Sequence, residues 1–217
     1  YGGVDCFRVT CTGIEKFAEG TNAILEDVAV YDASFGTCFS YGGAFTVRKM
    51  VGRNLGYAVQ CFQFSGLAYL VNCDFDVWSF YWQETPNSGT IYRQYDFNLA
   101  ITDKDNVPVQ GATVKLTDKD GAEVFSVATD ENGRIATQTI SRGYYQQSTG
   151  DVLQEYSPHT LSVSKIGYQM YTKKFVLSEK AKWEIKLARA QPILLDVGEP
   201  AVNLNASDPE NKHVLSL

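Results

Sequence analysis

The chain has 217 residues, a formal net charge of −6, only 20% charged residues, and 13 Tyr with 12 Phe. An acidic chain without a basic face does not suit nucleic acid, whose binding begins with phosphate neutralisation, and no run of 18 apolar residues offers a membrane-inserting helix. A heavy aromatic load against few charges favours β structure over helical bundles or disorder, and the length allows one domain or two.

From the amino end the apolar runs are short and alternating, as in "VAVY", "FTV", "AVQCFQF" and "LAYLV", which reads as strand. "CFSYGGAFTV", Cys38 to Val47, returns 23 residues later as "CFQFSGLAYL", Cys61 to Leu70. Gly20, Gly43, Gly66 and Gly89 fall on that step. Ile24, Val47 and Leu70 follow the first three glycines by four, Lys16, Phe39 and Phe62 precede them by four, and Ala18, Tyr41 and Phe64 precede them by two.

A fixed period in the twenties marks a solenoid, whose repeats bury their apolar faces by stacking. The leucine-rich pattern is absent, and several short strands per turn with Gly at a repeated corner suit a right-handed parallel β-helix of 23-residue coils. Residues 1–90 resemble the pectate-lyase-like β-helix family on the strength of this period. Because Val4 and Cys6 already read as strand, further coils, a cap or a partner are expected before Tyr1, and the missing initiator Met suggests a processed or partial chain.

Stacking by 23 sets Glu26 beside Lys49 and Arg53 beside Asp76, the pairs an exposed face tolerates. It also sets Cys38 on Cys61 with side chains running parallel, poor geometry for a disulfide, so thiols are expected. Five cysteines cannot all pair within one chain, and no spacing gives a zinc pattern; no metal or other cofactor is expected. The run "VWSFYWQETPNSGT" puts Trp78, Phe80, Tyr81 and Trp82 ahead of a turn. Their expected role is to close the last coil against the next domain, with a subunit interface and then glycan stacking as rival roles for Trp78, Tyr81 and Trp82.

Past Gly89 the period stops. Strands are expected at Tyr95 to Thr102, Ala112 to Thr117, Val124 to Thr129, Ile135 to Ile140, His159 to Ser164, Tyr168 to Leu177 and Trp183 to Ala188, with a looser segment at 142–157. Seven short strands joined by Gly-containing turns point to a β-sandwich. The run "PVQGATVKLTDKDGAEVFSVATDENGRI" and the later "SVSKIGYQMYTKKFVL" resemble the carboxypeptidase-regulatory-like, or transthyretin-like, sandwich family over about residues 92–190. That resemblance implies a noncatalytic accessory module of extracellular and surface proteins.

Asp118, Asp120, Asp130 and Asn132 have the oxygen-donor spacing of a calcium loop, but the closing Glu is replaced by Thr129 and Ser141, so hairpin turns are the preferred reading. The first sandwich strand has no Lys and the last no Asn or Asp, so the isopeptide bond of related sandwiches is not expected. The organisation is then all-β: coils over 1–90, a seven-stranded sandwich over 91–190, and an extended tail over 191–217 holding a glycosylation motif at Asn205.

The functional expectation is a noncatalytic structural or adhesive component of an extracellular, cell-surface or virion assembly, such as a fibre or tail-spike. It would be a homo-oligomer or part of a larger assembly, with polysaccharide as a further partner. The alternatives are a self-assembling filament subunit, or a β-helix polysaccharide lyase or glycoside hydrolase. The enzyme reading draws on Asp27, Asp74 and Asp76 for paired carboxyls, and on Arg53 or Lys49 as a base.

Overall fold

The computed structural model describes residues 5–7, 10–12, 19–20, 24–83 and 86–191, with side chains from residue 24 onward. Each turn of the first part gives one short strand to each of three parallel faces. They are β1 (Asp5–Phe7), β2 (Thr10–Thr12) and β3 (Glu19–Gly20); β4 (Ile24–Glu26), β5 (Ala29–Tyr31) and β6 (Phe35–Ser40); β7 (Ala44–Arg48), β8 (Val51–Arg53) and β9 (Tyr57–Phe62); β10 (Leu67–Val71), β11 (Asp74–Phe75) and β12 (Phe80–Gln83). The faces are β1-β4-β7-β10, β2-β5-β8-β11 and β3-β6-β9-β12. This is a parallel β-helix.

The coils are not of equal length, which corrects the constant step of 23. Cys6 pairs with Leu25, Leu25 with Val47, and Val47 with Leu70, so the step lengthens from 19 through 22 to 23. Gly20 pairs with Phe39 and leaves the glycine column, while Gly43, Gly66 and Gly89 keep the 23-residue step. The column exists because backbones touch there: a Cβ on Gly66 would sit 1.9 Å from the Gly43 carbonyl oxygen. The left-handed corners are built instead by non-glycine residues, Asp27, Lys49 and Asn72 in one row, Asp32 with Asn54, and Tyr41 with Gln63. Each of Asp27, Lys49 and Asn72 donates its N–H to the coil above, to the carbonyls of Arg48, Val71 and Gln94. That bond offsets the cost of a side chain at positive φ.

The shorter step moves side chains by one position. Cys38 pairs with Gln60 and Cys61 with Phe39, so the two cysteines are not in register. Phe39, Phe45 and Phe64 fill the coil interior with ring centroids 4.7–5.7 Å apart. Tyr41 and Phe62, expected in the same stacks, meet edge-to-face on the outside, with Tyr41 51% exposed. Ile24 likewise faces outward and Leu25 takes its inward place. Burying each such ring or aliphatic chain contributes about 1.5–3 kcal/mol.

The coil stack runs into the second part through one strand, β13 (Thr90–Asp103). Its first five residues extend the ladder of β10, and residues 97–103 pair in parallel with β20 (Ala181–Leu187) along the same edge. Its other edge pairs with β16 (Gln138–Tyr145), which in turn carries the two-residue β17 (Gln154–Glu155). Thus β16 runs into the segment expected to be loose, because the first half of β13 offers an open edge that only a long partner fills. The facing sheet is β15 (Glu123–Ala128), β14 (Thr113–Thr117), β18 (His159–Ser164) and β19 (Tyr171–Phe175), in that spatial order. Between the sheets lie Phe97, Leu99, Ile101, Val114, Leu116, Leu161, Val163 and Ile185. This is the β-sandwich, with β17 as an eighth strand beyond the seven expected.

The last coil is covered by the sandwich. Tyr145 and Leu153 pack on the coil core, Asp151 Oδ1 accepts the Phe80 N–H at 2.8 Å, and Gln147 Oε1 accepts the Asn87 N–H at 3.0 Å. These bonds satisfy edge groups that an open coil end would leave unpaired.

Candidate functional site

Arg53, Asp74 and Asp76 are brought together by the β8–β11 rung, but each is occupied. Arg53 was expected against Asp76; its guanidinium instead pairs with the Asp74 carboxylate and donates to the Asp74 carbonyl oxygen at 2.8 Å. The β8–β11 register pairs Val51 with Asp74 and Gly52 with Phe75, which carried one residue on sets Arg53 opposite Asp76, and the long side chain reaches back to Asp74. The hydrogen bond to Asp74 raises the Arg53 pKa further above its ordinary value. Asp76 Oδ2 accepts the backbone N–H of Asn54 at 2.5 Å, and Asn54 Nδ2 donates to Asp32 Oδ1 at 2.7 Å. The three side chains therefore lace successive rungs at one corner. A hydrolytic pair needs carboxyls facing each other across a bond; Asp74 and Asp76 stand side by side on one segment.

Lys49 meets Glu26 at 3.0 Å and Asp27 at 3.5 Å. The Glu26 hydrogen bond, followed by the Asp27 charge, raises the Lys49 pKa, which works against a role as a base.

The aromatic residues separate. Trp78 packs edge-to-face on Phe75 at 5.0 Å and parallel to Tyr145 at 6.4 Å. Trp82 packs half-buried on the coil core beside Phe80, and its Nε1 has no hydrogen-bond partner among the described residues. Tyr81 alone points outward, 40% exposed, in a cluster with Phe35 at 5.6 Å and Tyr57 at 5.3 Å. Trp78 and Trp82 therefore belong to the closure of the last coil, and Tyr81 to an exposed aromatic patch. Strand alternation puts Phe80 and Trp82 inward and Tyr81 outward.

Where β10 ends and β20 has not yet begun, a groove of about 880 Å³ opens along the edge of β13. Asn72 closes the ladder there, its Nδ2 donating to Asp96 Oδ2 at 2.7 Å and its Oδ1 accepting the Asp96 N–H at 2.9 Å. Asp74 and Trp78 reach the groove, and so does Arg93, whose sequence signal is its place in the repeat, four residues past Gly89 as Leu70 is past Gly66. Asp118, Asp120, Asp130 and Asn132, for which hairpin turns are the preferred reading over a calcium loop, lie elsewhere, in turns. Asp118 Oδ1 accepts the N–H groups of Asp120 and Ala122 at 2.9 Å each, Asp130 Oδ1 those of Asn132 at 2.9 Å and Arg134 at 2.8 Å. Asp103 repeats this with Asp105 and Val107 at 2.9 and 3.0 Å.

A family model described as "SpaA: Prealbumin-like fold domain" matches residues 96–174, which agrees with the transthyretin-like resemblance of the sandwich. None of the curated proteins matches the chain. Among solved structures, the Bacillus anthracis TIE protein is 17% identical over 50% of this chain and 20% of its own, with a TM-score of 0.34. A mutant of the shaft pilin spaA from Lactobacillus rhamnosus GG is 12% identical over 48% of this chain and 51% of its own, at 0.25. The 3-chlorocatechol 1,2-dioxygenase of Rhodococcus opacus 1CP is 13% identical over 45% and 60%, at 0.33. The chain thus spans between 20% and 60% of the length of these structures, and at these TM-scores the likeness carries no functional inference.

Proposed function

We propose that this chain is a noncatalytic structural or adhesive segment of a larger extracellular, cell-surface or virion assembly. The observation that carries this reading is β13, a single strand that ends the coil ladder and founds the sandwich. Force or shape imposed on one part passes to the other through a hydrogen-bonded sheet, not a linker. The prealbumin-like sandwich supports a surface setting, since accessory modules of that kind carry loads and contacts more than chemistry. The acidic residues at the coil corner are committed to rung-to-rung bonds, which supports a structural role for them as well. The finer reading, a homo-oligomeric fibre or tail-spike of the pectate-lyase-like β-helix type, rests on the coil stack.

Incubating the chain with a panel of neutral and acidic polysaccharides, while following new reducing or unsaturated ends, tests the reading. No turnover is expected, with retention on one or more glycans or on cells if the role is adhesive. Turnover that disappears in Asp76→Ala would overturn it. Light scattering of the purified chain decides the oligomer separately.

A further inference from the structure

We propose that the groove at the junction of coil and sandwich binds a small organic carboxylate, with Arg93 as its anchoring cation. This goes beyond the structural role and does not depend on it. Leu25, Val47 and Leu70 form a vertical column of inward residues, each no more than 2% exposed, and the residue opposite Leu70 on the next rung is Arg93. Along β13 it has the same parity as Ile91 and Tyr95, both buried. A guanidinium therefore occupies a place the stack reserves for an apolar side chain.

Arg93 is held rather than loose. Its guanidinium lies 3.7 Å over the Trp78 ring and its Nε donates to Tyr95 Oη at 2.7 Å. A half-buried cation keeps its charge at a cost unless an anion faces it, and an aromatic face supplies only part of that compensation. No carboxylate among the described residues pairs with Arg93. Asp74, in the same wall, is taken by Arg53, and Asp96 by Asn72, Thr139 and Arg48. The facing turn adds Lys180 and Lys182, neither in an ion pair among the described residues, against Glu179 alone. The unmatched charge of the groove is positive.

Tyr95 takes Nε and the Tyr145 hydroxyl is a second hydrogen-bond partner of the guanidinium, so the remaining terminal N–H groups of Arg93 are the ones left to meet a planar carboxylate. No helix end, which would favour phosphate, lines the groove; its walls are strand residues and one turn. The volume admits a sugar acid or an acidic amino acid with room to spare.

The test titrates the full chain with galacturonate, glutamate, galactose and inorganic phosphate, following the Arg93 Nε–H and Trp78 indole N–H resonances. Saturable shifts with galacturonate or glutamate, and none with galactose, are expected, and the tighter of the two acids identifies the source. Equal response to galactose, phosphate binding as tight as the carboxylates, or shifts that never saturate would each overturn the proposal. Arg93→Lys keeps the charge and loses the planar fork, so affinity should fall about tenfold. Should that variant fail to fold, the double variant Lys180→Ala, Lys182→Ala on the exposed wall carries the test. It should weaken binding about threefold and flatten its salt dependence, and unchanged binding would count against the groove.

Discussion

At the scale of single residues, two glycines separate close approach from backbone freedom. Gly66 has no room for a Cβ because the Gly43 backbone lies against it, whereas Gly121 has open space but φ of +84°. Gly66→Ala should therefore cost about 3 kcal/mol, as overpacking against backbone does, and Gly121→Ala about 1 kcal/mol for the left-handed turn alone. Chemical denaturation of both variants checks the ranking, and equal losses would refute it. The sequence marked Gly66 by its repeat, but for a corner role that Asp27, Lys49 and Asn72 fill instead. Periodicity locates such a residue without saying whether its φ or its lack of a Cβ is needed.

His159 is a second single-residue case. It is buried beside Phe175 with Nδ1 3.2 Å from Ser157 Oγ, and burial holds its pKa below the ordinary value, opposed in part by Asp118 and Glu155. Its folded pKa is below the unfolded one, so its contribution is complete above about pH 6.5. It is lost as pH falls from there towards the folded pKa, at up to about 1.4 kcal/mol per pH unit. Melting between pH 7 and 5 should show this decline, and His159→Phe should flatten it; an unchanged slope would remove His159 as its source. Asp103, whose bonds from Val107, Arg189 and Asp105 depress its pKa, acts in a lower window: its contribution is present above the unfolded carboxylate range and is lost below it.

At the scale of elements, the "DKDN", "DKDG" and "DENG" turns are one device used three times, an Asp whose Oδ1 closes the loop on two backbone N–H groups. Asp130→Ala should cost about 2 kcal/mol for two lost bonds, whereas Asp120→Ala, at the exposed third position of its turn, should stay within about 0.5 kcal/mol. Calcium or chelator should leave the melting temperature unchanged; a rise of several degrees with calcium would reopen the metal reading. These turns and most sandwich strands were legible because turn residues and alternation are local signals. The dual role of β13 was not, since the two-residue alternation of "TIYRQYDFNLAITD" resumes on the same parity after Arg93 and cannot tell that Ile91 faces one core and Tyr95 another. Arg93 was visible as a charge on the inward parity but had no meaning until Leu70 was known to lie beneath it. The coil register suffered likewise: the Cys-Phe repeat keeps 23 while the backbone between β6 and β9 takes 22, and a sequence repeat does not report where a coil drops a residue.

For the molecule as a whole, the coil interior is dry enough to silence its thiols. Cys38, Cys61 and Cys73 are buried outside any disulfide. Burial, with the nearby Cys38 adding to it, lifts the Cys61 pKa far above its ordinary value, and burial pushes Cys73 up to about 12. In a background carrying Cys6→Ser and Cys11→Ser, a thiol reagent at neutral pH should label the folded chain only as fast as the coils open, and fully in denaturant. Rapid labelling of the native chain would contradict the packed interior.

Because β13 passes unbroken from ladder to sandwich, the two halves have no swivel between them. The heading of the sandwich's outer turns is fixed by the pitch of the coils below, like the bit of a key by its shank. Whatever grips one end can transmit torque, and not merely tension, to the other.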